Sequence, residues 1–203
     1  MIEKDIHTIT VVSGLPRSGT SLMMSMLFAG GLPLLVDDVR QADDDNPRGY
    51  FEFEPVKKLK TNHSWLPLAQ GKAVKIVSAL LLELPAEYRY RILFMQRSLK
   101  EILTSQRRML NHRGEHDDKT GDAAMEAIFT RHLQHVEHWL SLQANMPVLY
   151  IDYAQLVHSP SVLVHNINMF VGGWLDEHKM ASMVDPNLHH QRIDPPNGLD
   201  GIN

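Results

Sequence analysis

The sequence predicts a single α/β domain with a central parallel sheet that helices flank on both faces. Short apolar runs rich in β-branched residues alternate along the chain with longer segments in which apolar residues recur at helical spacing. Strands separated by helices pair in parallel, because each crossover helix returns the chain to the same end of the sheet. A length of 203 residues with 43% hydrophobic residues suits one core, and no internal repeat or linker divides it.

The predicted elements follow from these patterns and from their helix-ending and turn residues. We predict strands over residues 6–13, 73–77, 91–96 and 146–151. We predict helices over residues 20–29, 54–70, 98–111, 122–143 and 160–171. The acidic segment 31–46 has no clear period and is expected to cross the surface, and residues 185–203 are expected to form an extended tail. Ligands of parallel sheets bind at the carboxyl ends of the strands, so functional residues are expected there.

Charge and composition narrow the class of protein. A net charge of -4 and a pI near 6.3 argue against a general affinity for nucleic acid or for an anionic membrane, since both need a basic surface. The absence of cysteine excludes disulfides, thiolate metal sites and a cysteine nucleophile. The first residues lack the apolar core of a signal peptide, and no apolar run is long enough to span a bilayer. A cytoplasmic location is therefore expected.

Residues 14–21, GLPRSGTS, form a glycine-rich turn between the first strand and the first helix, which is the setting of a phosphate-binding loop. Gly14 and Gly19 have the spacing of the triphosphatase loop, but Thr20 stands where that loop carries lysine. Arg17 supplies a positive charge instead. Hydroxyl groups come from three residues, Ser18, Thr20 and Ser21. With the amides of a helix N-terminus, these residues predict a P-loop-like anion site made without the triphosphate lysine.

This loop resembles that of the sulfotransferases that use 3′-phosphoadenosine 5′-phosphosulfate (PAPS). Their loop has Pro, then Arg or Lys, then Ser-Gly-Thr, then Ser or Thr, and arginine at the second position is the form of the tyrosylprotein and many bacterial members. The resemblance implies that the 5′-phosphosulfate is held by six residues, Pro16, Arg17, Ser18, Gly19, Thr20 and Ser21.

A second motif of that family lies in FMQRSLKEILTSQRRML, residues 94–110. Family members bind the 3′-phosphate of the nucleotide with an arginine at a strand end and a serine eight positions later. Arg97 and Ser105 have this spacing. An arginine fork and a hydroxyl from one strand-to-helix unit converge on a terminal phosphate, to which the helix dipole adds. The alternative for Arg97 is a surface ion pair, with Ser105 as a helix filler.

Weaker similarities extend over most of the chain. Residues 148–160, VLYIDYAQLVHSP, resemble a later strand with its acidic-aromatic turn, and residues 184–192, VDPNLHHQR, resemble the tail of many bacterial members. In that tail Arg192 is expected to close over the nucleotide phosphates, and a solvated tail is the alternative. Segments 31–54 and 112–121 are expected to line the acceptor.

The resemblance implies transfer of a sulfuryl group from PAPS to a hydroxyl or amine of a small-molecule or peptide acceptor. The product 3′-phosphoadenosine 5′-phosphate (PAP) leaves, and no metal is required. Arg17 is expected to stabilise the leaving phosphate. Lys75, on the second strand, is expected to contact the sulfuryl group or else to extend from the strand edge into water.

The general base is expected in or near residues 45–54, DNPRGYFEFE, which resemble a segment of bacterial members. Glu52 is the first candidate for the base, and a role beside the N-terminus of the following helix is its alternative. Three further candidates stand behind it, Glu54, His63 and Asp38.

Other functions stay open at this point. A small-molecule kinase or triphosphatase with a degenerate loop is one alternative, and a nucleotide-binding module without activity is another. Three histidines in RHLQHVEHW recur in three-residue steps that do not match a known metal-site spacing, so no metal site is expected there. They are His132, His135 and His138.

Overall fold

The computed structural model describes residues 5–37, 39, 49–112, 114 and 121–184. Its four strands are Thr8–Gly14 (β1), Ala73–Lys75 (β2), Arg89–Gln96 (β3) and Val148–Asp152 (β4). Its α-helices are Thr20–Ala29 (α1), Leu66–Ala69 (α2), Leu99–His112 (α3), Asp122–Ser141 (α4), Tyr153–His158 (α5), Pro160–Val171 (α6) and Glu177–Ser182 (α7). Two 3-10 helices cover Glu54–Lys58 and Ser78–Glu83.

The strands form one parallel sheet in the order β2-β1-β3-β4. Val11 in β1 lies opposite Val74 in β2 and Ile92 in β3, and Ile92 in turn lies opposite Val148 in β4. Because all four strands run in the same direction, their carboxyl ends meet at one edge of the sheet. The residues that follow β1, β2, β3 and β4 therefore come together there.

Alternate residues of the strands enter two separate apolar clusters, one on each face of the sheet. Ile9 and Ile92 pack in the cluster that contains Val136 and Leu140 of α4. The other cluster joins Val12 and its neighbours to α1, α5, α6 and α7. This two-residue period is that of a strand buried on both faces. The predicted fold, a parallel sheet with helices on both faces, is confirmed.

The predicted helix over 54–70 is wrong. The chain forms a 3-10 helix to Lys58, a turn, and only the short helix α2. Pro67 has no N–H for the helical bond to the His63 carbonyl, and the Asn62 side chain accepts from the Ser64 amide at 3.0 Å. The apolar spacing that suggested a helix has another origin, since Val56, Leu59 and Leu66 are all buried in one cluster.

The other predicted elements exist, most of them with shifted bounds, and α5 and α7 were not predicted. The bounds of α1 and α6 agree with the predicted ones, whereas β2 ends at Lys75 rather than at residue 77. The predicted tail 185–203 and most of 38–48 and 113–120 lie outside the described residues. In the part of the chain that is described, no helix has both the length and the apolar character needed to cross a bilayer.

Candidate active site

The glycine-rich turn lies at the carboxyl edge of the sheet, between β1 and α1. Gly19 has a φ of 103°, and a Cβ added there would lie 2.4 Å from Cδ2 of Tyr153. Position 19 therefore requires glycine for both its backbone conformation and its contact. Arg17 also has a positive φ, 73°, an unfavourable conformation for a residue with a side chain. The turn is held in a shape that local preferences alone do not favour.

The backbone of this turn presents the N-terminus of α1. The N–H groups of Gly19, Thr20 and Ser21 head the helix, where no preceding turn supplies carbonyl acceptors. The Ser18 amide, one residue earlier, instead donates to the Leu15 carbonyl at 3.1 Å. The amides that head α1 and the helix dipole together suit an anion.

Ser18 lies beneath the turn. Its side chain is fully buried, and Oγ has no hydrogen-bond partner among the described residues. A Cβ added to Gly14 would lie 2.5 Å from this oxygen, so glycine at position 14 makes the room for it. A buried hydroxyl without a partner costs free energy, and such atoms are found at sites that a ligand or a water completes.

The two predicted phosphate motifs meet in one hydrogen bond. Nε of Arg17 donates to Oγ of Ser105 at 2.9 Å, although the residues are distant in the sequence. Ser105 is 4% exposed and lies on the inner side of α3. The structure therefore brings the turn after β1 and the helix after β3 into one site.

Arg97 is fixed by three contacts at the centre of that site. Its Nε pairs with Oε2 of Glu101 at 2.8 Å, and Nη1 donates to the Arg17 carbonyl at 3.2 Å. Its guanidinium carbon lies 4.4 Å from the centre of the Tyr153 ring. The alternative expected from the sequence, an ion pair, is thus present, but it is not a surface pair because the side chains of Arg97 and Glu101 are 10% and 11% exposed. We call Arg17, Arg97, Glu101, Ser105 and Tyr153 the arginine cluster.

Burial raises the pKa of the Tyr153 hydroxyl, and the Glu101 carboxylate raises it further, while Arg97 and Arg17 oppose both effects. Tyr153 therefore stays protonated near neutral pH. Its neutral ring offers Arg97 an aromatic face without adding a second negative charge to the cluster.

Lys75 brings a second cation to the turn from the neighbouring strand. As the last residue of β2 it lies beside the end of β1, and its Nζ is 3.1 Å from Oγ of Ser21. Nζ also donates to the Tyr50 carbonyl at 2.9 Å. A lysine that is absent from the turn itself is thus supplied by the next strand of the sheet.

The contact with Tyr50 connects the turn to the segment that carries the predicted bases. Asp37 ties this segment down, since its amide donates to the Glu52 carbonyl at 2.9 Å and its carboxylate accepts from the Glu54 amide at 2.6 Å. Between Tyr50 and Glu52, Phe51 has a positive φ, 52°, which a residue with a side chain rarely adopts. Glu52 is half-buried and two residues from the Lys75 contact.

The remaining base candidates are placed less favourably or not described. The Glu54 carboxylate pairs with Lys57, and His63 is exposed in the turn before α2. Asp38 and Arg192 lie outside the described residues. Among the described candidates, Glu52 is the nearest in sequence to Tyr50, whose carbonyl accepts from Lys75.

One of the three histidines of α4, His132, has a hydrogen-bond partner in the core. His132 lies 2.9 Å from Oγ of the buried Ser78, and burial, with a smaller effect of His135, lowers the pKa of its imidazole. Within the described ranges, no group of three or more histidine, aspartate or glutamate side chains is placed to hold a metal ion.

Sequence reasoning missed Glu101 and Tyr153. Glu101 follows Arg97 by four residues, the spacing at which opposite charges meet across a helical turn, so this signal was available. Tyr153 carried no such signal, because its contact with Arg97 depends on β4 lying beside β3.

The family follows from a domain model. A family model described as the sulfotransferase domain matches residues 7–194. The chain belongs to the sulfotransferase family. The matched range includes the turn after β1, the whole arginine cluster and Lys75 of this sulfotransferase.

One relative and two solved structures illustrate what the chain is similar to. Sulfotransferase 1A1 of Rattus norvegicus is 25% identical over 201 residues, which cover 89% of this chain and 64% of the relative. This sulfotransferase chain therefore spans just under two thirds of that relative. The structure of the sulfotransferase domain from the Synechococcus PCC 7002 olefin synthase has a TM-score of 0.53 at 17% identity, covering 95% of this chain and 86% of that one. Retinol dehydratase in complex with androsterone and inactive cofactor PAP has a TM-score of 0.49 at 15% identity, covering 90% of this chain and 64% of that one.

Proposed function

We propose that this chain transfers a sulfuryl group from PAPS to a hydroxyl or amine of an acceptor and releases PAP. The observation that carries the proposal is the hydrogen bond between Arg17 and Ser105, 2.9 Å long. It joins the two motifs that the family uses for opposite ends of the nucleotide. Membership of the sulfotransferase family supports the same reaction.

The turn and the arginine cluster fit a nucleotide with two separate phosphate groups. The amides at the head of α1, Arg17 and Ser21 would hold the 5′-phosphosulfate. Gly14 and Gly19 support this turn by letting Ser18 and Tyr153 pack against it. Arg97 and Ser105 would hold the 3′-phosphate. On ligand binding the Ser105 hydroxyl exchanges its contact with Arg17 for one with the nucleotide.

The reaction is an in-line displacement at sulfur. The acceptor oxygen or nitrogen forms a bond to sulfur, the bond from sulfur to the bridging oxygen breaks, and PAP leaves with that electron pair. Negative charge grows on the leaving phosphate, where Arg17 and Lys75 offset it. Lys75 would supply a positive charge beside the turn, since its Nζ lies 3.1 Å from Oγ of Ser21.

We assign the general base to Glu52, which would take the proton of the acceptor. The position of Glu52 supports this assignment, because Lys75 contacts both the turn and the carbonyl of Tyr50, two residues before Glu52. A Glu52→Gln variant should keep PAP affinity and lose transfer. Equal transfer by this variant would assign the base elsewhere.

The acceptor itself is proposed only as a class, a small molecule or a peptide with a nucleophilic hydroxyl or amine. Segments 31–54 and 112–121 are proposed to line its pocket, and Arg192 to cover the nucleotide. A cytoplasmic location stays a prediction.

Calorimetric titration with PAP, and with adenosine 5′-phosphate (AMP) as the matched nucleotide without the 3′-phosphate, tests the proposal directly. We expect micromolar or tighter binding of PAP and much weaker binding of AMP. Arg97→Ala should weaken PAP binding by about tenfold to about a hundredfold, the range of a charged hydrogen bond. Arg108→Ala, on an exposed part of α3, is the control and should change neither affinity.

Each other outcome points to a different function. Equal binding of PAP and AMP, or no binding, would contradict the proposal, and magnesium-dependent turnover of ATP would then favour the kinase or triphosphatase alternative. Selective PAP binding without transfer to a broad panel of phenols, alcohols and amines would favour a nucleotide-binding module without activity.

A further inference from the structure

We infer that Glu101 is a positioning residue for the 3′-phosphate, which presents one nitrogen of Arg97 to the nucleotide; this rests on the proposed function. The Glu101 carboxylate accepts from Nε of Arg97 at 2.8 Å. Through this contact Glu101 acts on the arginine that is proposed to bind the 3′-phosphate.

The three contacts of Arg97 account for most of its guanidinium. Glu101 accepts from Nε, the Arg17 carbonyl accepts from Nη1, and Tyr153 covers one face. Among the described residues, Nη2 donates to none. Arg97 thus has one nitrogen without a partner, in a direction that its three neighbours determine.

A flexible arginine loses rotamer freedom when it binds a phosphate, and a guanidinium that is already fixed avoids this loss. The acid has a second effect. The side chain of Arg97 is only 10% exposed. Without Glu101, its positive charge would be nearly buried and uncompensated until the nucleotide binds. Glu101 compensates that charge in the free protein and keeps the side chain in place.

A purely electrostatic role would have the opposite consequence. A carboxylate beside a phosphate site repels the phosphate, so removal of Glu101 should then strengthen PAP binding. A third possibility is that Glu101 serves only α3, because an acid in the first turn of a helix favours its dipole. Removal would then lower stability and leave the selectivity between nucleotides unchanged.

The experiment compares the ratio of PAP affinity to AMP affinity in three proteins, wild type, Glu101→Ala and Glu101→Gln. We expect Glu101→Ala to lower this ratio by about tenfold, through PAP alone, as loss of a charged hydrogen bond implies. Glu101→Gln keeps an oxygen that accepts from Arg97 and should keep most of the ratio. Asp122→Asn removes the acid of the exposed pair with Arg107 and is the matched control, with no expected change.

The outcomes separate the inference from the proposed function. A wild-type protein that prefers PAP, with an unchanged or raised ratio in Glu101→Ala, overturns the positioning role and leaves the function intact. A wild-type protein without preference for PAP overturns both. If Glu101→Ala does not fold, as thermal unfolding would reveal, Glu101→Gln decides, since a ratio as low as that of Arg97→Ala in this variant contradicts the inference.

Discussion

The guanidinium of Arg97 lies 4.4 Å above the ring of Tyr153, and this contact joins the carboxyl ends of two neighbouring strands. Arg97 directly follows β3, and Tyr153 directly follows β4. The same ring packs against Gly19 of the turn after β1. Tyr153, at the end of β4, thus contacts residues that follow both β1 and β3.

Replacement of Tyr153 should therefore change the affinity for PAP. Tyr153→Leu removes the aromatic face and should weaken PAP binding by about twofold to about thirtyfold, as a cation–π contact of about 0.5–2 kcal/mol predicts. Tyr153→Phe keeps the ring and should bind PAP like the wild type. Calorimetry on both variants measures this, and equal loss in the two would show that the hydroxyl rather than the ring is responsible.

Gly19→Ala should damage both the fold and the site. A Cβ at this position would lie 2.4 Å from Tyr153 and would hold a φ of 103°, so we expect a loss of about 1–3 kcal/mol in the free energy of unfolding. PAP binding should fall below detection because the turn must move. Gly121→Ala is the control, since nothing lies within 4 Å of a Cβ there. Wild-type PAP affinity in Gly19→Ala would contradict the placement of the nucleotide in this turn.

Lys75→Met should weaken PAP binding by about tenfold, because it removes a cation that contacts the turn through Ser21 while keeping the length of the side chain. Lys72→Met is the matched control, because Lys72 directly precedes β2, at the end of the strand away from the turn. This variant should bind PAP like the wild type. Titration calorimetry measures both. If Lys75→Met binds PAP normally and loses only transfer, the lysine acts on the sulfuryl group alone.

Stability should fall at mildly acidic pH, in part because of His132. Burial lowers the pKa of His132, so below its ordinary value of 6.5 the unfolded chain takes up this proton before the folded protein does. The free energy of unfolding should therefore decrease as the pH falls through 6.5 and level off once the folded histidine is also protonated. Urea unfolding of His132→Gln at several pH values should show a shallower decrease.

His138→Gln, on an exposed position of the same helix, serves as the comparison for His132→Gln and should retain the wild-type pH dependence. A wild-type slope in His132→Gln as well would assign the acid sensitivity to other groups. Asp5 is not such a group, because the hydrogen bond from Thr8 lowers the pKa of its carboxyl from 3.8, so its contribution to stability changes only at more acidic pH.

The fold was largely predictable because most of its strands and helices are marked by residues within or next to the element itself. Buried parallel strands leave continuous apolar runs, and α1 ends where Gly30 and Gly31 follow it. The prediction of one helix over residues 54–70 was wrong for a physical reason. Val56, Leu59 and Leu66 are all buried in one cluster, which gives them helical spacing in the sequence without a continuous helix. The order of strands was not predicted, because periodicity carries no information about which strands are neighbours.

The site was predictable where a motif is short and contiguous. The turn and the spacing of Arg97 and Ser105 led to residues that the structure brings into contact. The contact of Lys75 with Ser21 could not be derived, because it requires β2 to lie beside β1. The identity of the base stays a prediction, since position alone favours Glu52.

The central position of β1 also affects how the protein is made. β1 comes first along the chain, but Thr10 pairs with Ala73 and with Arg91, so each partner strand is synthesised much later. Every pairing in the described sheet is parallel and non-local, a topology associated with slow folding. During translation the turn is therefore synthesised well before the strands that complete the proposed nucleotide site. Ligand capture by a nascent chain would report the moment at which β3 and β4 join the sheet.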